Sequence, residues 1–220
     1  LTGARMPDES VKCLIEEADG RILLGTIKGL LRYDPHTGRV TVPYPALKNE
    51  LCISLYRDRQ SRIWLGTFRH GAYCIDGDRI RHYFYEDMPS VDVSYREATP
   101  NLNCVRSFHE DAEGNFWICV YGGLGRFDPE SGAIGLLRER HPQLARFMLT
   151  RGLCEVNGQL LVTSDNGRYR YEPKKDRVIF DEGDPQQHVS CNQALADPRG
   201  FVWLASSDGL HVQTPHDGDF

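Results

Sequence analysis

Four short stretches each set polar or aromatic side chains directly before a glycine: Phe68-Arg69-His70-Gly71, Tyr121-Gly122-Gly123, Ser164-Asp165-Asn166-Gly167 and Ser206-Ser207-Asp208-Gly209. Arg69 and His70 can give charge-assisted hydrogen bonds, Tyr121 adds a ring and a hydroxyl, and Asp165, Asn166 and Asp208 add acceptors. Converging on one mouth, such groups suit a hydroxyl-rich or anionic ligand. Two further rings, Tyr85 and Tyr95, stand in an aromatic-rich stretch (Tyr83-Phe84-Tyr85 and Ser94-Tyr95-Arg96) from which they could stack on sugar rings. Each residue also has a plainer explanation. Asp-Asn-Gly forms turns whatever it binds, and exposed aromatics often pack only their own loop. These eight are the candidate ligand contacts, with Arg69 and His70 preferred because their turn carries one extra residue.

Catalytic wording is missing. There is no phosphate-cradling G-x-x-x-x-G-K-S/T, and Gly122-Gly123-x-Gly125 lies between two expected strands rather than before a helix. No G-x-S-x-G elbow occurs, and the eight histidines are scattered without a nucleophile beside them. Carboxylates are abundant, but nothing in the order of residues pairs two of them across a cleft as glycoside hydrolysis needs. The seven cysteines form no C-x-x-C pair and read as small buried apolar residues; their odd number leaves at least one free within the chain. They do not fix a compartment. No metal and no cofactor is expected. The net charge of −5 comes from interspersed acids and bases with no basic stripe, so nucleic acid is not an expected partner.

The elements that hold these turns come from a repeat. Five units share a pattern of strand, acid-x-x-Gly turn, strand, Gly turn and third strand ending in an acid. The first turn places Gly20, Ser61, Gly114, Gly158 and Gly200 at steps of 41, 53, 44 and 42 residues, the spacing of four-stranded propeller blades. The long step is an insertion between Phe84 and Asn101. The second strand carries Leu23, Trp64, Trp117, Leu161 or Trp203, a bulky side chain that can wedge sheet against sheet. First strands are expected at Val11–Glu16 and near 53–57, 105–110, 149–154 and 192–196. Fourth strands are expected near 39–42, 79–83, 133–136 and 177–180. The stretch from Arg138 to Phe147 reads as a short helical turn.

The fold class is therefore all-β, five four-stranded β-propeller repeats at about 8–48, 49–100, 101–147, 148–187 and 188–220 in one propeller region. The fifth unit shows no clear fourth strand. The chain is expected to be a fragment of a larger propeller, the alternative being closure of the last blade by Leu1–Ala4.

Ile63-Trp64-Leu65-Gly66-Thr67, Gly29-Leu30-Leu31-Arg32-Tyr33-Asp34 and the run from Phe108 to Ile118 resemble the two-component regulator propeller repeat. The resemblance covers five units of five. Leu161 and Thr163 depart from it in the fourth unit and Cys119 in the third. It implies an extracytoplasmic, periplasmic sensor segment of an inner-membrane hybrid histidine kinase receptor, not an enzyme, responding to a carbohydrate-type ligand. The implied partners are a small-molecule or oligosaccharide ligand, further propeller blades of the parent chain and a possible homodimer. A docking propeller is the alternative, and a propeller glycosidase or lyase a third reading. Sialidase-type turns, S-x-D-x-G-x-x-W, are only partly matched, because Asp111 and Asp197 stand three residues before glycine rather than two.

Overall fold

Asp58, Asp111 and Asp197 each accept hydrogen bonds from backbone amides two and four residues on, closing the turn between the first two strands of a sheet. The glycine that follows takes a positive φ (Gly114 +81°, Gly200 +86°), which L side chains resist. In the second repeat Ser61 takes φ 64° instead. These turns fold the chain into hairpins throughout the computed structural model, which describes residues 10–86, 101–180 and 189–214.

Five antiparallel sheets result, each with its strands paired in sequence order. Sheet one comprises β1 (Val11–Glu16), β2 (Ile22–Thr26), β3 (Gly29–Tyr33) and β4 (Val40–Thr41); sheet two comprises β5 (Cys52–Arg57), β6 (Ile63–Thr67), β7 (Ala72–Asp76) and β8 (Arg79–Tyr83). Sheet three holds β9 (Asn101–Glu110), β10 (Phe116–Tyr121), β11 (Gly123–Phe127) and β12 (Ile134–Leu136); sheet four holds β13 (Thr150–Val156), β14 (Gln159–Ser164), β15 (Gly167–Glu172) and β16 (Arg177–Ile179). Sheet five has three strands among the described residues, β17 (Cys191–Ala196), β18 (Val202–Ser206) and β19 (Gly209–Gln213). These are β-propeller blades, as the repeat requires. Among the described residues helical structure is limited to 3-10 turns, two of which (Leu137–Glu139 and Pro142–Arg146) fall in the expected helical stretch. Tyr95, most of the insertion and Leu1–Ala4 lie outside the described residues.

The chain divides into two compact units, one of Leu1–Val91 with Asn103–Val105 and one of Asp92–Leu102 with Arg106–Phe220. In the first, Leu23, Leu30, Leu47, Cys52, Leu65 and Ile75 form a core joining sheets one and two. In the second, Trp117, Leu124, Leu153, Leu160, Tyr169 and Tyr171 join sheets three and four, while Cys154, Leu161, Cys191, Val202 and Leu204 join sheets four and five. Burial of these faces is the main stabilising term, because an isolated sheet would leave both faces wet. Trp64 and Trp117 are almost fully buried, with Tyr83 stacked on the first and Tyr171 edge-on to the second. Trp203 is only partly buried.

Candidate functional site

The glycine-terminated turns between second and third strands are held by a recurring hydroxyl. Thr26, Thr67 and Ser164 end β2, β6 and β14, and each donates its side-chain hydroxyl to the carbonyl of the turn glycine at 2.9 Å. The same oxygens accept the amides of Lys28, His70 and Asn166. Each turn is also tied to the start of a first strand or to the segment leading into one. Asn49 N bonds Lys28 O, Phe68 N bonds Leu51 O and Gly71 N bonds Asn103 O; in the second unit Gly122 N bonds Met148 O, Asp165 N bonds Leu149 O and Ser207 N bonds Ser190 O. The positions expected to line a ligand mouth are thus fixed by backbone before any side chain acts.

The candidate residues sort themselves within that frame. Tyr121 is 7% exposed, its backbone bridged to Leu149, so its ring packs rather than lines a mouth. Asp165 pairs with Arg151, Asn166 gives its amide to Arg146 O at 2.6 Å, and Asp208 pairs with His211 Nε2 at 2.7 Å. Tyr85 is pinned by Asn103, which bonds both its amide and its carbonyl at 2.9 Å, and burial pushes its phenol up to about 12. Arg69 and His70 stand out from the protein surface, Arg69 with its guanidinium 5.8 Å from the Phe68 ring centre.

His70 belongs to a cluster that the sequence did not disclose. Glu50, in the segment leading into β5, places Oε2 2.8 Å from His70 Nδ1 and accepts the Tyr73 hydroxyl on Oε1 at 3.1 Å. His82 donates from Nε2 to the His70 carbonyl at 2.7 Å. Its ring lies flat on Tyr73, centres 4.1 Å apart and planes within 4°, with Phe84 at 5.8 Å. Burial, then the Glu50 carboxylate, drives the Tyr73 phenol well above its ordinary range, so it stays a donor. The result is a rim on sheet two where a carboxylate and an imidazole stand beside the exposed rings of His82 and Phe84, with Tyr73 buried beneath His82. Glu50, Tyr73 and His82 are scattered in sequence and carry no motif; only the alternation along β7 and β8 could have hinted that Tyr73 and His82 meet.

A second arrangement follows a fixed spacing in the sequence. Asp58, Asp111 and Asp197 each also accept the indole N–H of a tryptophan six residues later, at 2.8, 2.7 and 3.3 Å to Trp64, Trp117 and Trp203. Where the sixth residue is Leu23 or Leu161 the acid is the longer Glu17 or Glu155. Glu17 then binds Arg32 at 2.5 and 2.7 Å, and Glu155 binds His109 and the Ala112 amide. These carboxylates are structural.

No protein-family model and no curated protein matches the chain. Solved structures do. Two extracellular domains from B. thetaiotaomicron, described as belonging to hybrid two-component systems, align with TM-scores of 0.68 and 0.66 at 17% and 22% identity. The alignments cover 92% and 94% of this chain and 26% and 28% of theirs, so the chain spans about a quarter of those domains. The virginiamycin B lyase of Staphylococcus aureus aligns at TM-score 0.62 and 15% identity, over 97% of this chain and 73% of the lyase. At these identities the likeness establishes the β-propeller fold, the same fold that the sensor domains use.

Proposed function

We propose that the chain is an extracytoplasmic ligand-sensing segment of a two-component receptor, and that the rim around Glu50 and His70 contacts a hydroxyl-rich, carbohydrate-type ligand. The observation that carries this reading is the flat Tyr73–His82 stack beside the Glu50–His70 pair. A pyranose ring presents a C–H face suited to an aromatic shelf and hydroxyls suited to a carboxylate and an imidazole. Likeness to the sensor domains supports the class, and the turns supply a rigid frame for the site.

Further blades are the proposed intramolecular partner. One face of sheet five carries Leu195, Trp203, Leu210 and Val212, with Leu195 61% and Leu210 66% exposed. The equivalent tryptophan of sheet three, Trp117, is covered by sheet four. A propeller sheet of the same register therefore fits this face, contributed by the parent protein.

The lyase reading has one observation in its favour, the imidazole–carboxylate pair of His70 and Glu50, which is a general-base arrangement. Thermal denaturation against a panel of oligosaccharides separates the two. A sensor shows a Tm that rises with the concentration of one saccharide and leaves it intact. Turnover of the stabilising compound would instead make the chain a lyase or glycosidase. Arg69→Ala or His70→Ala with unchanged affinity for that saccharide would remove the rim from the site.

A further inference from the structure

All seven cysteines are thiols in the structure, yet two of them share one place. β1 packs against β5, and Cys13 and Cys52 sit on those strands at the end of β2. A side-chain carbon at Gly25 would collide with Cys13 Sγ and would lie 3.1 Å from Cys52 Cβ. The Cys13 thiol interacts with the Gly25 backbone and the Cys52 thiol with the backbones of Thr26 and Gly29, adjacent points on one hairpin. Gly25 leaves the room that Cys13 Sγ and Cys52 Cβ share, the Cys52 thiol resting 3.5 Å from the Glu50 carbonyl. Cys154 and Cys191 also meet in one core cluster, but there the Cys154 thiol bonds the backbone of Ala196 and, among the described residues, no glycine opens a shared space between the two strands as Gly25 does.

We propose that Cys13 and Cys52 form an interblade disulfide that staples the first strand of sheet one to the first strand of sheet two. The step is a thiol–disulfide exchange with an incoming disulfide, either a small-molecule one or that of an oxidoreductase. One cysteine thiolate attacks it, forming a mixed disulfide and releasing one thiol; the second cysteine displaces the other. Two S–H bonds break, one S–S bond forms between Cys13 and Cys52, and the two protons and two electrons leave in the reduced reagent. Burial pushes both thiols up to about 12 in the folded chain, where little thiolate is available. The bond therefore forms while the chain folds, and an oxidising compartment favours it. The inference stands independently of any ligand.

Refolding the chain from urea in oxidised and reduced glutathione, followed by alkylation and peptide mapping without reductant, tests it. Expected are five alkylated cysteines, a linked pair of peptides carrying Cys13 and Cys52, and a fall in Tm of roughly 10 °C when reductant is added. Cys13→Ser, which installs the residue that sheet two has at the corresponding position (Ser54, opposite Gly66 as Cys13 is opposite Gly25), should abolish the link and the reductant sensitivity. Cys191→Ser should leave both intact. Seven alkylated cysteines after oxidative refolding, or links spread over other cysteines, would overturn the proposal; the peptide map decides this even where a variant fails to fold.

Discussion

The carboxylate of Asp111 does three jobs with two oxygens. It accepts the backbone amides of Glu113 and Asn115, the Asn115 side chain and the Trp117 indole, and its residue is 1% exposed. Asp111→Ala leaves those donors without a partner in a dry site, which should cost about 3 kcal/mol in urea unfolding. Asp197→Ala should cost clearly less, because Trp203 is only partly buried and Arg199 beside Asp197 is exposed. Equal losses would mean that the indole bond contributes little. The same carboxylates set the acid limit. Burial acts to raise the Asp111 carboxyl, but bonds from Trp117 and Asn115 outweigh it and hold the group below its ordinary value; the Arg199 bond leads in lowering Asp197 to about 2. A folded value below the unfolded one means that the unfolded chain binds more protons, so this stability is complete above about pH 4 and is lost as pH falls toward 2. Tm measured between pH 5 and pH 2 should show that decline, and Asp111→Ala should flatten it. At this scale the sequence displayed each partner, acid and tryptophan six apart, but turn geometry and sheet packing explain those residues separately, and only coordinates join them.

Hairpins carry the next level, and two kinds of glycine within them answer differently to the same change. Gly114 has φ +81° with nothing within 4 Å of an added carbon, so Gly114→Ala should cost only about 1 kcal/mol of left-handed backbone strain. Gly66 lies in a strand, where an added carbon would overlap Ser54 Oγ and the Val105 carbonyl. Gly66→Ala should cost about 3 kcal/mol, since the carbonyl belongs to backbone and cannot rotate away. Chemical denaturation of the pair checks this, and the reverse order would contradict the packing described. The strands and turns were readable in sequence because period-two alternation, Asp and Gly punctuate every unit alike. Lengths were read less well. β9 begins at Asn101 because Asn103 ties the chain to Gly71 and Tyr85, a long-range contact that local pattern does not contain. Among the ligand candidates, Tyr121 looked like a rim residue for the same reason: its bridge to Leu149 crosses from one repeat to the next.

Across the whole chain, repetition specifies scaffold and departure from repetition marks the proposed site. Five units repeat the acids, glycines and core apolar residues, whereas the flat Tyr73–His82 stack beside Glu50 and His70 belongs to the second; in the fourth, Asp176 also joins an imidazole and a tyrosine hydroxyl, but His141 meets the Tyr171 ring edge-on. Arg69 and His70 were legible because their turn departs in length; the shelf beside them was not, because Tyr73 and His82 meet only once β7 and β8 pair. The central claim is that this shelf and the Glu50–His70 pair contact the ligand. Calorimetric titration of the stabilising saccharide into the native chain and into His82→Ala tests it most directly. The account predicts at least a tenfold weaker Kd, about 1.4 kcal/mol, for the variant with the fold retained by circular dichroism. An unchanged Kd in a folded His82→Ala chain would contradict it.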